Sequence, residues 1–450
     1  MPATDDDTFL PSALPNIEKK KVTAAFDGGR ISSDGGVSLL SATGRRIGLI
    51  DTPAAVFPDS RDPARITRST ADLLRGRVLA ICRGYEDGND LDRLRRDPAF
   101  KMACGRLPES GDGPASQPTM SRLENTPGTR ALTRMSRAML DLRCRSRRRR
   151  PRSITLDIGD TAGTAHGRQR MPLFNAHYNE RRFSPVHIYD ARTGHCALTV
   201  LRPGKTPGGK EVRAHIRRLA RHIRQRWPRT LITIRGDSHH GRREAMDWCE
   251  RNGVQYIFGF GGGKVLAEQV FPALHPCGVQ RAIANPGKAR ARTELQHAAK
   301  SWSAPRRVAA RMEATRKGAD VRHAVTDLTR GTPEWLCDTA YCARGQAENL
   351  IKRRKSQLAS GRAVRRSPLA NQMRLILHAA ACWLMRAVRG EIPRPQPLAS
   401  GEFTAIRLRL LKIAARVRET AGRIRLAFAA NCPEAELFRS MIRSLTLRPT

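Results

Sequence analysis

Tyr341, Arg344, Glu348 and Lys355 are four side chains whose types and spacing could hold a metal ion beside a polyanion. On an α-helix, which turns about 100° per residue, they fall within an arc of roughly 60°. Lys352 lies on the same face. A carboxylate ringed by cations on one surface suits an ion gripped by the glutamate while arginine and lysines hold phosphate. The spacing also fits a solvated helix with internal ion pairs, since Glu348 and Lys352 obey the i,i+4 rule. The remainder of the chain favours the first reading.

Three acidic positions stand out by place. Asp157 lies within Ile154-Thr155-Leu156-Asp157-Ile158, which alternates as a strand, and Asp160 follows it. Asp237 ends the run Leu231-Ile232-Thr233-Ile234-Arg235-Gly236-Asp237. Val186–Tyr189 and Ala197–Leu201 read as an antiparallel pair turned at Asp190–Gly194. Val212, Ile216, Leu219 and Ile223 mark an amphipathic helix. A helix around 242–251 and a strand at Val254–Phe258 complete the order β-β-β-α-β-α-β. That order predicts an α/β fold, a ribonuclease-H-like mixed sheet with helices on both faces. In such a sheet the first and fourth strands are neighbours and a late helix crosses their ends. Asp157, Asp237 and Glu348 would then converge, and their mutual repulsion calls for divalent cations.

Composition narrows the partners. The 450-residue chain carries a formal charge of +41, with arginines spread along its whole length. This predicts a strong, salt-sensitive attraction to nucleic acid. Ten cysteines are scattered without a Cys-x-x-Cys pair, a usage typical of a reducing compartment. Cys337 and Cys342 lack the second half of a zinc site. With no apolar run near membrane-span length and no leader, the expected location is cytoplasmic, associated with the nucleoid.

The expected organisation begins with a disordered stretch at 1–20 and a helical DNA-binding region at 21–142. Within the latter, Ser116–Leu123 resembles the opening of a recognition helix or an ordinary capped helix. An Arg-rich linker at 143–152 includes Arg147, Arg148, Arg149 and Arg150, able to clamp DNA. The first part of the core covers 153–259, a β-rich insertion 260–338, and the glutamate helix with its successor 339–390. A basic C-terminal helical region is expected at 391–450, with Ile406, Leu410, Ile413, Val417, Ile424 and Phe428 on one face. Arg202 and Lys205 after the third strand are candidate phosphate contacts.

The segments Asp157–Thr161, Leu201–Lys205, Ile234–Ser238 and Tyr341–Lys355 resemble those of DDE transposases of bacterial insertion sequences, closest to the insertion-sequence thirteen-eighty family. The last segment matches the Y-R-E-K signature of such enzymes. The resemblance implies cleavage at terminal inverted repeats and joining of the freed 3′ ends to target DNA. It also implies two Mg²⁺ (or Mn²⁺) ions and a homodimer in the complex with double-stranded DNA. Asp157, Asp237 and Glu348 are the expected metal ligands, with Asp160 as a further catalytic candidate. Tyr341, Arg344, Lys352 and Lys355 are expected on the DNA. One departure matters: the family commonly places its first catalytic aspartate where this chain has Gly159. Either Asp157 or Asp160 would have to substitute, or this copy binds DNA and cuts weakly or not at all.

Overall fold

The computed structural model describes residues 15–447 except 148, 166–168, 170, 176–178, 284–287, 316–317 and 363–364. The chain forms two compact units. One comprises Met1–Ile47, Arg61–Ser121 and Leu384–Thr450; the other comprises Gly48–Ser60 and Arg122–Trp383.

The second unit is built on an eight-stranded sheet. Its strands are β1 (Ser153–Asp160), β2 (Val186–Asp190), β3 (Cys196–Val200), β4 (Leu231–Gly236), β5 (Gln255–Phe260), β6 (Ala289–His297), β7 (Arg306–Thr315) and β8 (Gly318–Thr326). The spatial order is β6-β7-β8-β5-β4-β1-β2-β3. β1 runs parallel to β4 and antiparallel to β2, with Asp157 opposite Arg235 and Ile158 opposite Gly236. Its longer helices are α1 (Thr129–Arg145), α2 (Gly209–Arg226), α3 (Arg243–Arg251), α4 (Lys264–Ile283), α5 (Gly345–Leu358) and the part of α6 (Pro368–Gly390) up to Trp383. This is a mixed α/β fold of the ribonuclease-H type, preceded by helices.

Alternation along β1 divides the two faces of the sheet. Leu156 and Ile158 enter one core with Ile216 and Leu219 of α2 and Leu140 of α1. On the other face, Tyr189 packs with Ala347, Leu350 and Ile351 of α5. Burying a leucine or isoleucine side chain stabilises the fold by about 1.5–3 kcal/mol, so both helix layers are held firmly. The α5 layer carries the candidate site.

Three elements differ from the sequence reading. Segment 260–338, expected as a β-rich insertion, has three strands that lengthen the main sheet, β8 pairing with β5, and it also contains α4. Pro272 and Pro276 inside α4 obscured that helix, because proline there ordinarily signals a break. The expected C-terminal helical face is instead a hairpin, Ala415–Glu419 with Ile424–Phe428, paired to Ile31–Ser32. Ala415 and Val417 are buried while Arg416 and Arg418 are exposed, a period of two concealed by the four-residue spacing of Ile413 and Val417. Finally, the helix expected from residue 340 opens irregularly. A π turn at Trp335–Tyr341 and a 3₁₀ turn at Cys342–Arg344 precede α5.

Candidate active site

The carboxyl ends of parallel neighbours β1 and β4 place Asp160 and Asp237 side by side, a position where α/β sheets commonly bind ligands. Across them lies the first turn of α5, which carries Glu348. These elements enclose a pocket of about 510 Å³, lined in part by Gly159, Asp160, Asp237, Arg344, Glu348 and Lys352.

Ligand atoms of Asp160, Asp237 and His239 lie within 4.8 Å of one another. Asp160 Oδ2 is 3.5 Å from His239 Nδ1 and accepts a hydrogen bond from Ser184 Oγ at 3.2 Å. Asp237 Oδ1 accepts the backbone N–H of His239 at 3.0 Å and meets His240 Nδ1 at 2.7 Å. Arg344 Nη2 donates to Asp237 Oδ2 at 3.1 Å, and its Nη1 donates to Glu348 Oε1 at 2.5 Å. Burial alone would raise the Asp237 pKa. The hydrogen bond from His240, with the charges of His240 and Arg344, more than offsets it and holds the carboxyl well below its ordinary range. Glu348, at 65% side-chain exposure, stands open to the pocket. Arg344 therefore sits between two acids where a cation is electrostatically favoured.

Asp157 has a different environment. Its side chain is 1% exposed, and Arg235 grips it bidentately, Nε to Oδ1 at 2.6 Å and Nη2 to Oδ2 at 3.0 Å. Arg235 Nη1 also donates to the carbonyl of Ala340 at 2.7 Å. Burial raises the Asp157 pKa, opposed by the hydrogen bond and charge of Arg235. Asp157 belongs neither to the pocket lining nor to the Asp160–Asp237–His239 group. Gly159, by contrast, lines the pocket. A Cβ built on it would meet Ile351 Cδ1 at 3.5 Å, an ordinary van der Waals contact, and nothing else within 4 Å among the described residues.

The basic residues divide similarly. Lys352 is exposed at the pocket, while Lys355 Nζ donates to Ala162 O at 2.7 Å and Thr161 Oγ1 at 3.3 Å, bracing the loop after β1. Tyr341 packs beside Ile257, Ala324 and Ala340. Its hydroxyl lies so close to Gly259 that a Cβ there would stand 2.4 Å away. Tyr341 is not among the residues that line the pocket, although the charges of Arg344, Asp237 and Glu348 act on its hydroxyl. Arg202 is buried on Glu211, with Nε–Oε1 at 2.8 Å and Nη2–Oε2 at 2.9 Å, and donates to Lys205 O at 2.7 Å. Lys205, Arg149 and Arg150 are exposed and Arg147 is partly exposed, all outside this pocket; Arg148 lies outside the described residues. Sequence reasoning gave Ser184 and Arg235 no role. Arg235 had a visible signal, its place on β4 two residues before Asp237, but its partner follows only from strand register.

A model of the transposase DDE domain group 1 matches residues 14–450. The chain belongs to this DDE transposase family. Among curated proteins, none matches this transposase. A similar solved structure is the cryo-EM synaptic complex of piggyBac transposase with hairpin DNA, at 12% identity and a TM-score of 0.45. That match covers 85% of this chain and 81% of the other. Among the described residues, no helix of the transposase is long and apolar enough to cross a membrane.

Proposed function

We propose that this chain cleaves double-stranded DNA at the terminal inverted repeats of an insertion sequence and transfers the freed 3′-hydroxyl ends to target DNA, acting as a homodimer in the complex. The carrying observation is the meeting of Asp160, Asp237 and the Arg344-linked Glu348 in one pocket, brought from three distant segments. The motif from Tyr341 to Lys355 supports kinship with the insertion-sequence thirteen-eighty family. The balance of charge and the cysteine usage support a nucleoid-associated role in the cytoplasm.

The donor set suits divalent cations of the Mg²⁺ or Mn²⁺ type, because two carboxylates lie together with an imidazole beside them. Asp160 and Asp237 would hold one ion, and Glu348 would join a second once released from Arg344. Bound there, such ions supply activation of water or a 3′-hydroxyl and neutralisation of the leaving oxygen. Arg344 and Lys352 would position the scissile phosphate at the pocket mouth. His240 keeps Asp237 ionised and oriented. Asp157 would serve these groups indirectly, by fixing Arg235 and through it the backbone at Ala340.

A second reading is favoured by Gly159: a copy that binds the repeats but cuts weakly, because the pocket floor lacks a carboxylate. Cleavage of a labelled terminal-repeat duplex with and without Mg²⁺ tests both. Metal-dependent nicking at the repeat end supports the transposition reading. Tight binding with no nicking, in either Mg²⁺ or Mn²⁺, overturns it in favour of the second.

A further inference from the structure

The sheet face remote from the catalytic pocket carries another concentration of charge. There α1, α2 and the short helix Asp51–Ala54 border an open groove of about 860 Å³. Arg134, Arg137 and Arg145 reach it from α1, and Arg217, Arg218 and Arg221 from α2. On α1 these positions share one face, and the stripe runs about 16 Å along the helix axis. Of the two acids lining the groove, Asp141 is engaged by Arg226 Nε at 2.8 Å and His222 Nε2 at 3.1 Å. Arg145 donates to Thr52 Oγ1 at 3.1 Å. Among the described residues, no carboxylate pairs with Arg134, Arg137, Arg217, Arg218 or Arg221.

A solvated helix face ordinarily interleaves charges of both signs. Here five unpaired guanidinium groups face one groove, and their mutual repulsion favours a partner with closely spaced anions. Duplex DNA presents a negative charge per roughly 1.7 Å of axis, and guanidinium groups fork onto phosphate oxygens. The described residues that line the groove include no Phe, Tyr or Trp on which an unpaired base could stack, which favours a duplex over a single strand. Leu156 packs with α2 on one face of the sheet, while on the other Tyr189 packs with α5, whose Ala347, Glu348 and Ile351 line the pocket, so the sheet separates groove from pocket.

We infer that the α1–α2 groove is a second DNA-binding surface, one that holds the phosphate backbone of a duplex segment other than the one being cut. The inference rests on the DNA-processing reading above but names a different site. Binding there is independent of sequence, and it would retain flanking or target DNA while the repeat end occupies the pocket.

The test is the salt dependence of binding to a long labelled duplex of arbitrary sequence. In R134A/R137A/R218A/R221A the slope of log affinity against log salt should become shallower by about two to four, near 0.9 for each phosphate that the variant no longer neutralises. Lysine at the same four positions should keep most of the slope. A charge-matched control, R229A/R251A/K300A/R330A, removes four exposed cations from elsewhere on the same unit. It should move the slope by less than one. Thermal melts of all variants should coincide, because the four groove positions carry no ion pair. Equal slope changes in the groove variant and the control, or an unchanged slope in the groove variant, would overturn the inference while leaving the proposed function intact. Failure of the unaltered protein to bind any duplex would overturn both.

Discussion

Two arginine–aspartate pairs lie on either side of the pocket floor and behave as different devices. Beneath the floor, Asp157 and Arg235 are both buried and bind each other bidentately. At the pocket, Asp237 is shared among Arg344, His240 and a backbone amide, and Arg344 reaches on to the exposed Glu348. The first pair has no solvent-facing acceptor left, whereas in the second a divalent cation and a phosphate could take over the partners of arginine and acids. Burial of both partners makes a strut; exposure of one makes a site whose contents can be exchanged.

The largest expected effect breaks the exchangeable pair. Asp237→Asn and Glu348→Gln should each abolish cleavage of a terminal-repeat duplex while leaving duplex affinity within a few fold, as gel-shift and single-turnover assays would report. Cleavage near the unaltered rate in either variant would remove these acids from the chemistry.

Next comes the sealed pair. Asp157→Ala strands the Arg235 guanidinium in a buried site, which should cost roughly 3–5 kcal/mol of unfolding free energy. Urea denaturation of Asp157→Ala and Asp237→Ala would separate the two, the first losing much more stability than the second. Equal losses would erase the distinction between strut and site.

Gly159→Asp sharpens the comparison by adding a third acid to the pocket. There is room for its Cβ, and a strand glycine contributes little packing of its own. Single-turnover cleavage should rise by about an order of magnitude if the floor lacks a ligand, since one well-placed interaction is worth about that in rate. An unchanged or lower rate would show that the existing acids suffice.

A third treatment of a carboxylate gives the smallest effect. Asp327 accepts the Tyr256 amide at 2.8 Å, but among the described residues no arginine or lysine compensates its burial, which pushes its pKa up to about 6. The folded state therefore binds the proton more tightly than the unfolded chain. The stabilisation from this group is full below about pH 4 and is lost as pH rises through about 6. Unfolding midpoints of Asp327→Asn should vary less between those limits than those of the unaltered protein; identical pH profiles would contradict this.

Much of the fold was legible because its signals are local. Ile154–Ile158, Val186–Tyr189 and Leu231–Ile234 alternate as strands, and Val212 to Ile223 keeps helical period. The Gly236-Asp237-Ser238 turn and Glu348 were visible as chemistry for the same reason. What stayed hidden depends on distant partners. The Asp157–Arg235 pairing exists only through the parallel register of β1 and β4, and no periodicity in either segment encodes it. The π turn that directs Tyr341 onto Gly259 likewise lies below the resolution of a wheel drawn at 100° per residue.

The central claim is that the metal-holding acids are those of the pocket and that Asp157 is a strut. Mn²⁺ titration of the folded protein, followed by calorimetry, tests this directly with Asp157→Asn, Asp160→Asn and Asp237→Asn. Asp157→Asn, where it remains folded by circular dichroism, should bind the ion within a few fold of the unaltered chain, while Asp160→Asn and Asp237→Asn should lose at least about tenfold in affinity. Loss of Mn²⁺ binding in a folded Asp157→Asn, with binding kept in Asp160→Asn, would contradict it.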